Sequence, residues 1–197
     1  MAKRIITISR EFGSGGRAIG EALAKELGYV FYDKDLICEI AKISKLSEEF
    51  VERRLESAPS KSIFSYAFVK RGWDGVSKED YLFDVQKRLI EEIAEKECCV
   101  IVGRCADDIL KDREDVFSVF ISADQKEKVA RIMERYDVSE KQALRMQKDT
   151  DKKRSTNYNY YTDGIWGMAS GYDLAINSSV LGYDGCVKLI AELVRRL

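Results

Sequence analysis

Along this chain, short continuous apolar runs alternate with longer stretches in which apolar residues return every three or four positions. These are the signatures of buried strands and amphipathic helices. RIITIS (4–9) reads as a strand that stops at the glycines following it. RAIGEALAKELG (17–28) places Ile19, Leu23 and Leu27 on one helical face and ends at Gly28, a natural C-cap. YVFYD (29–33) reads as a second strand, and KDLICEIAKIS and SEEFVERRLES as helices, the latter with acids in its first turn. Pro59 marks a loop, and residues 78–97 have strong helical periodicity. CCVIVG (98–103) is the unbroken apolar run expected of a central parallel strand, and DVFSVFISA (115–123) is another. DQKEKVARIMERY and SEKQALRMQKDTDKKR read as helices, YDLAINSS (172–179) as a last strand and GCVKLIAELVRRL as a closing helix. The alternation predicts an α/β fold with a parallel sheet covered on both faces. Residues 37–97 give helices and no convincing strand, as a helical insertion would.

Composition narrows the chemistry. The 197 residues suit one domain, and 45% hydrophobic content is enough for a core. The 33 basic and 34 acidic residues leave a net charge of −1, which argues against bulk binding to nucleic acid or to anionic membranes. The apolar run near the N-terminus is too short for a signal peptide or a spanning helix, so a cytoplasmic protein is expected. Five cysteines, odd in number and without a Cys-x-x-Cys spacing, predict mostly buried reduced thiols and no metal site. Histidine is absent altogether. That excludes Ser–His and Cys–His nucleophiles, imidazole acid–base catalysis and most catalytic zinc sites. Any chemistry must rest on positioning and charge.

The segment SREFGSGGRA (9–18) lies between the first strand and the first helix. Gly13, Ser14, Gly15 and Gly16 are small enough to let a ligand reach the main chain, and a helix start offers unpaired amides and partial positive charge. Phosphate binding is one reading; a glycine-rich turn without a ligand is the other. The P-loop pattern would continue Gly-Lys-Ser/Thr, whereas this chain has Gly-Gly-Arg-Ala. Aligned on GSG, Gly16 stands for the lysine and Arg17 for the hydroxyl residue. Shifted by one, Arg17 stands for lysine and Ala18 for Ser/Thr. Neither register supplies a hydroxyl for Mg²⁺. Arg17 is the nearest cation, Arg10 could instead reach over the phosphates, and Ser14 is expected to matter through its amide.

ITISREFGSGGRAIGEALAKELGYVFYDKDLI closely resembles the opening of the cytidylate kinase-like family, relatives of the nucleoside monophosphate kinases. VIVGRCADDIL, DKKR, YYT and YDLAINSS fit the same family in order and at suitable separations. The resemblance implies a three-layer P-loop NTPase fold in a single kinase domain. Its core would be residues 1–36 and 98–197, its helical acceptor-binding insertion about 37–97 and its lid about 148–168. The implied reaction is transfer of the γ-phosphoryl group of ATP, with Mg²⁺, to CMP or dCMP. Gly13, Ser14, Gly15, Gly16, Arg17 and Arg154 would hold ATP, with Arg17, Arg104 and Arg154 catalytic. Asp33, Lys34, Gly103, Arg104 and Asp107 would bind the acceptor. Asp33 would contact the nucleoside or orient a partner cation, with a helix N-cap as its plain structural alternative. Cys105 and the delayed Asp107 depart from the family's Gly-Arg-Asp. Lys152, Lys153, Arg131 and Arg135 would support Arg154, while Tyr158, Tyr160 and Tyr161 would pack the lid or wall the base pocket. A kinase of the same fold with another small acceptor, and a nucleotide-binding sensor without turnover, are the alternatives.

Overall fold

The computed structural model describes residues 4–33, 35–55 and 78–197. Its strands are β1 (Ile5–Arg10), β2 (Val30–Tyr32), β3 (Cys99–Val102), β4 (Val116–Ser122) and β5 (Leu174–Asn177). All pair in parallel, in the order β2-β3-β1-β4-β5. The helices are α1 (Gly16–Leu27), α2 (Asp35–Ser44), α3 (Glu48–Leu55), α4 (Lys78–Lys96), α5 (Ala106–Ile109), α6 (Gln125–Tyr136), α7 (Glu140–Tyr161) and α8 (Ser178–Arg196), with a 3₁₀ turn at Ala169–Gly171.

Both sheet faces are covered, which is why β1, β3 and β4 read as continuous apolar runs. Ile6, Ile8, Val100, Val102, Val119 and Ile121 face α1 and α8, meeting Ile19, Leu23, Cys186 and Ile190. Ile5, Cys99, Ile101 and Val116 face the other way, against Ile90, Ile93 and Ala94 of α4. A separate cluster of Ile37, Ile40, Val51, Leu55, Leu82 and Val85 joins α2, α3 and α4. Pro59 and the rest of the 56–77 stretch expected within the insertion lie outside the described residues, as does Lys34.

Register decides what reaches the site. β3 pairs with β1 only as far as Ile8↔Val102, whereas β4 follows β1 to Arg10↔Ile121. Ser9 and Arg10 therefore project past the end of β3, beside Gly103, whose N–H donates to the carbonyl of Ile8 at 2.9 Å.

Three expected boundaries move. The helix expected to end at Arg154 continues as α7 to Tyr161, since no glycine or proline intervenes before Gly164. The last strand is confined to Leu174–Asn177, because Asn177 caps α8, accepting from the Ser179 N–H at 2.9 Å. The closing helix accordingly starts before residue 185, with a kink at Gly182 (φ 66°). All five cysteines are free, and Cys99, Cys105 and Cys186 are buried. Among the described residues, no helix is long and apolar enough to cross a membrane.

Candidate active site

The glycine loop is built tightly. Gly13 and Gly15 hold left-handed backbone, with φ of 85° and 82°, and α1 starts at Gly16. A Cβ on Gly13 would come within 2.7 Å of the Lys128 carbonyl, and one on Gly15 would clash with the hydroxyl edge of the Tyr183 ring. Ser14 is fully buried. Its hydroxyl donates to the Glu11 carbonyl at 2.8 Å, and its carbonyl accepts from Ser178 Oγ at 2.7 Å. Arg131 closes the loop from α6, donating to the Gly13 carbonyl at 3.4 Å and to Ser178 Oγ at 3.2 Å. Glu11 is held by Lys128 Nζ at 2.9 Å and by the Ala123 N–H at 3.2 Å.

The loop therefore fits a polyphosphate: a helix start, two left-handed glycines and a scaffold that fixes them. It does not fit a metal held by the protein. Ser14 is turned back onto Glu11, and Glu11 is committed to Lys128.

Arg17 and Asp33 come together. Arg17 Nε lies 2.6 Å from Asp33 Oδ2, with the arginine side chain 46% exposed and the carboxylate nearly buried. The pair stands outside the cleft described next.

A cleft of about 130 Å³ opens at the carboxyl ends of β1 and β3, where open α/β sheets receive ligands. Four cationic side chains line it, Arg10, Arg104, Lys153 and Arg154, and no carboxylate does among its described lining residues. Gly103, Arg104 and Cys105 all hold left-handed backbone, with φ of 75°, 65° and 54°. Gln86 Nε2 fixes this turn by donating to the Arg104 carbonyl at 2.9 Å. Burial pushes the Cys105 thiol above its ordinary range, so it packs rather than reacts.

Asp107 lies in the floor behind the cleft, buried to 7% exposure. It accepts from the Tyr158 hydroxyl at 2.7 Å and from Ser9 Oγ at 3.4 Å. Burial holds its carboxyl above the usual carboxylate range, with the Tyr158 hydrogen bond opposing that shift.

Helix α7 supplies the far wall. Arg154 donates from Nη1 to the Arg10 carbonyl at 3.1 Å and lies over the Phe12 ring. One turn earlier, Asp151 Oδ1 accepts from the Phe12 N–H at 2.7 Å. Tyr158 packs inward on Asp107, while Tyr161 stacks on Phe83 of α4 at 4.0 Å and meets Tyr160 edge-on. Arg135 lies over Tyr136. Asn157, which sequence reasoning passed over, also lines the cleft, and its Oδ1 is buried without a hydrogen-bond partner among the described residues. Nothing in the polar stretch STNYNYY distinguishes that asparagine; only the continuation of α7 brings it inward.

A parallel sheet in the order 2-3-1-4-5, with a glycine loop between β1 and α1, is the fold of the P-loop small-molecule kinases. Residues 5–180 match the sequence model of the cytidylate kinase-like family, and the chain belongs to that family of P-loop phosphotransferases. A crystal structure of an uncharacterized protein from Eubacterium ventriosum ATCC 27560 is 32% identical, with a TM-score of 0.76, covering 98% of this chain and 99% of that one. Shikimate kinase from Bacteroides thetaiotaomicron is 16% identical with a TM-score of 0.54, covering 97% and 98% of the two chains. A gluconokinase from Sinorhizobium meliloti 1021 is 15% identical with a TM-score of 0.54, covering 98% and 93%. At such identities these two kinases share the fold alone. No curated protein matches the sequence.

Proposed function

We propose that this protein transfers the γ-phosphoryl group of ATP to a nucleoside monophosphate, CMP or dCMP first among them. One observation carries the reading: a cleft with four cationic side chains and no carboxylate among its described lining residues, set beside a glycine loop at a helix start. Such a cleft suits two anionic partners. The amides of Gly13–Gly16 hold the donor phosphates, with Arg17 alongside, steadied by Asp33. Gly103 borders the acceptor, with Asp33 serving to orient Arg17, and Arg104 takes the acceptor phosphate, its guanidinium matching two oxygens. Arg154, supported by Lys153, offsets charge on the group in transfer. Helices α2 to α4, within the stretch of about 37–97, belong to the acceptor insertion, and residues of about 148–168 form the lid of a single kinase domain.

An acceptor phosphate oxygen forms the new bond to the γ-phosphorus as the bridging P–O bond to the β-phosphate breaks, releasing ADP. The nucleophile is already anionic, so no strong base is needed. Mg²⁺ bound with ATP would neutralise donor charge; no step is assigned to a metal held by the protein.

A second reading, a small hydroxylated acceptor, has its own observation. Asp107, linked to Ser9 in the cleft, is a carboxylate that could take a hydroxyl proton, which a phosphate acceptor does not require.

An ADP-release screen with Mg²⁺ over CMP, dCMP, UMP, AMP, GMP and hydroxylated metabolites separates these. Turnover with CMP or dCMP is expected. Turnover only with a hydroxylated metabolite, abolished in Asp107→Asn, favours the second reading. ATP binding without any acceptor-dependent ADP would overturn both in favour of a sensor.

A further inference from the structure

In the P-loop pattern the residue after the last glycine of the loop is the lysine that reaches the donor phosphates. Aligned on GSG, the register in which α1 starts at that residue, this chain has Gly16 there. Gly16 is not among the glycines with positive φ, so its backbone does not demand glycine. Its neighbour does. A Cβ at position 16 would stand 2.6 Å from Arg10 Cβ and 2.9 Å from Arg10 Cγ. Farther along the same side chain, a Cβ on Gly103 would overlap Arg10 Nη1 and lie 3.1 Å from Cζ. Arg10 thus runs from the start of α1 to the end of β3, between two glycines whose missing side chains it uses. Its main chain is fixed as the last residue of β1, paired with Ile121 and accepting from Arg154. Its side chain lines the cleft with Arg104, Lys153 and Arg154. Arg17 is not among the cleft's lining residues and pairs with Asp33.

We infer that Arg10 is the polyphosphate-contacting cation of this loop, serving from the strand side the place a lysine at position 16 would serve from the helix side. This rests on the phosphate reading of the cleft given above. The exchange is coupled: the cation sits on β1, and glycine at the start of α1 makes room for its stem. A guanidinium here offers two parallel donors to phosphate oxygens, where a lysine would act as a point charge.

The test is calorimetric titration of the full chain with inorganic triphosphate, and separately with ATP and Mg²⁺. Fluorescence of Trp166, which lines the cleft, provides a second signal. Arg10→Gln keeps a polar stem without the charge, and is expected to weaken triphosphate binding about tenfold to a hundredfold, as loss of charge-assisted hydrogen bonds does. Arg10→Lys should retain most of the affinity. Arg10→Gly combined with Gly16→Lys removes the Cβ that a side chain at position 16 would meet, moves the cation back to the helix, and is expected to recover binding to within about tenfold of the unaltered protein. A merely structural Arg10 would give no such recovery. Triphosphate affinity in a folded Arg10→Gln protein within about twofold of the unaltered one overturns the inference. If Arg10→Gln does not fold, failure of the double variant (Arg10→Gly with Gly16→Lys) to bind while Arg10→Lys binds normally overturns the exchange equally. Arg10-dependent triphosphate binding without ATP binding leaves Arg10's role standing and overturns the nucleotide reading. Binding of neither overturns both.

Discussion

Gly103, Arg104 and Cys105 hold three left-handed conformations in succession, and two of these residues carry side chains that disfavour them. Each such residue costs about 1–2 kcal/mol, sustained only because its surroundings fix it. Here Gln86 and the Ile8 carbonyl do so. Strain of this kind ties stability to function. Arg104→Gly is expected to leave thermal stability unchanged or raise it by up to about 1 kcal/mol. The same change should raise the acceptor KM about tenfold or more, by removing a charged hydrogen-bonding group. Denaturation and steady-state kinetics check the two halves independently. Asp107 makes a prediction of the other kind. Its folded carboxyl sits above the ordinary value of 3.8, so the folded protein binds that proton more tightly than the unfolded chain. The resulting stabilisation is complete below the ordinary value and is lost as pH rises through the higher folded value. Asp107→Asn should flatten that fall in a pH series of denaturation curves, its advantage over the unaltered protein growing above about pH 4. That the loop glycines would stand at the start of α1 and Arg104 just past the end of β3 was legible in the sequence, because small residues and a cation close two apolar runs there. Arg10 was visible only as one of two options. Its route to Gly103 depends on strand register, which local pattern does not reveal.

The elements were legible as kinds, less so as lengths. Periodicity marks α7 as a helix but says little about where it stops. The basic run around Arg154 looks like a helix end, since the dipole favours cations there. The real terminus lies beyond the tyrosines, near Thr162 and Gly164. That extension carries Tyr161 onto Phe83 and so binds α7 to α4. A double-mutant cycle of Phe83→Ala and Tyr161→Ala should give a coupling of about 1 kcal/mol, as expected of a stacked pair. A coupling near zero in thermal denaturation would show that the rings share a place without sharing energy. The short last strand has a similar explanation: Asn177 and the serines after it were available as a capping signal, yet the apolar LAI beside them dominated the pattern.

At the scale of the molecule, alternating runs and helices imply a parallel sheet with two covered faces, and that is what forms. Strand order is a different matter: pattern alone cannot say that β1 lies between β3 and β4, and only the family resemblance pointed to a fold that carries this order. The central position makes β1 and its partners costly to disturb. Ile101→Ala, at a fully buried site, should lower stability by about 2–5 kcal/mol. That is a large share of the roughly 5–15 kcal/mol typical of such a domain. Activity per folded molecule should be retained, and chemical denaturation alongside turnover at low temperature measures both. The bond from the Phe12 amide to Asp151 has a mechanical corollary. The donor turn and the wall that covers it are clasped by the main chain of one and a carboxylate of the other. Neither swings away without unfastening that clasp, so under the proposed function letting a spent nucleotide go and relaxing the turn that gripped it would be a single event.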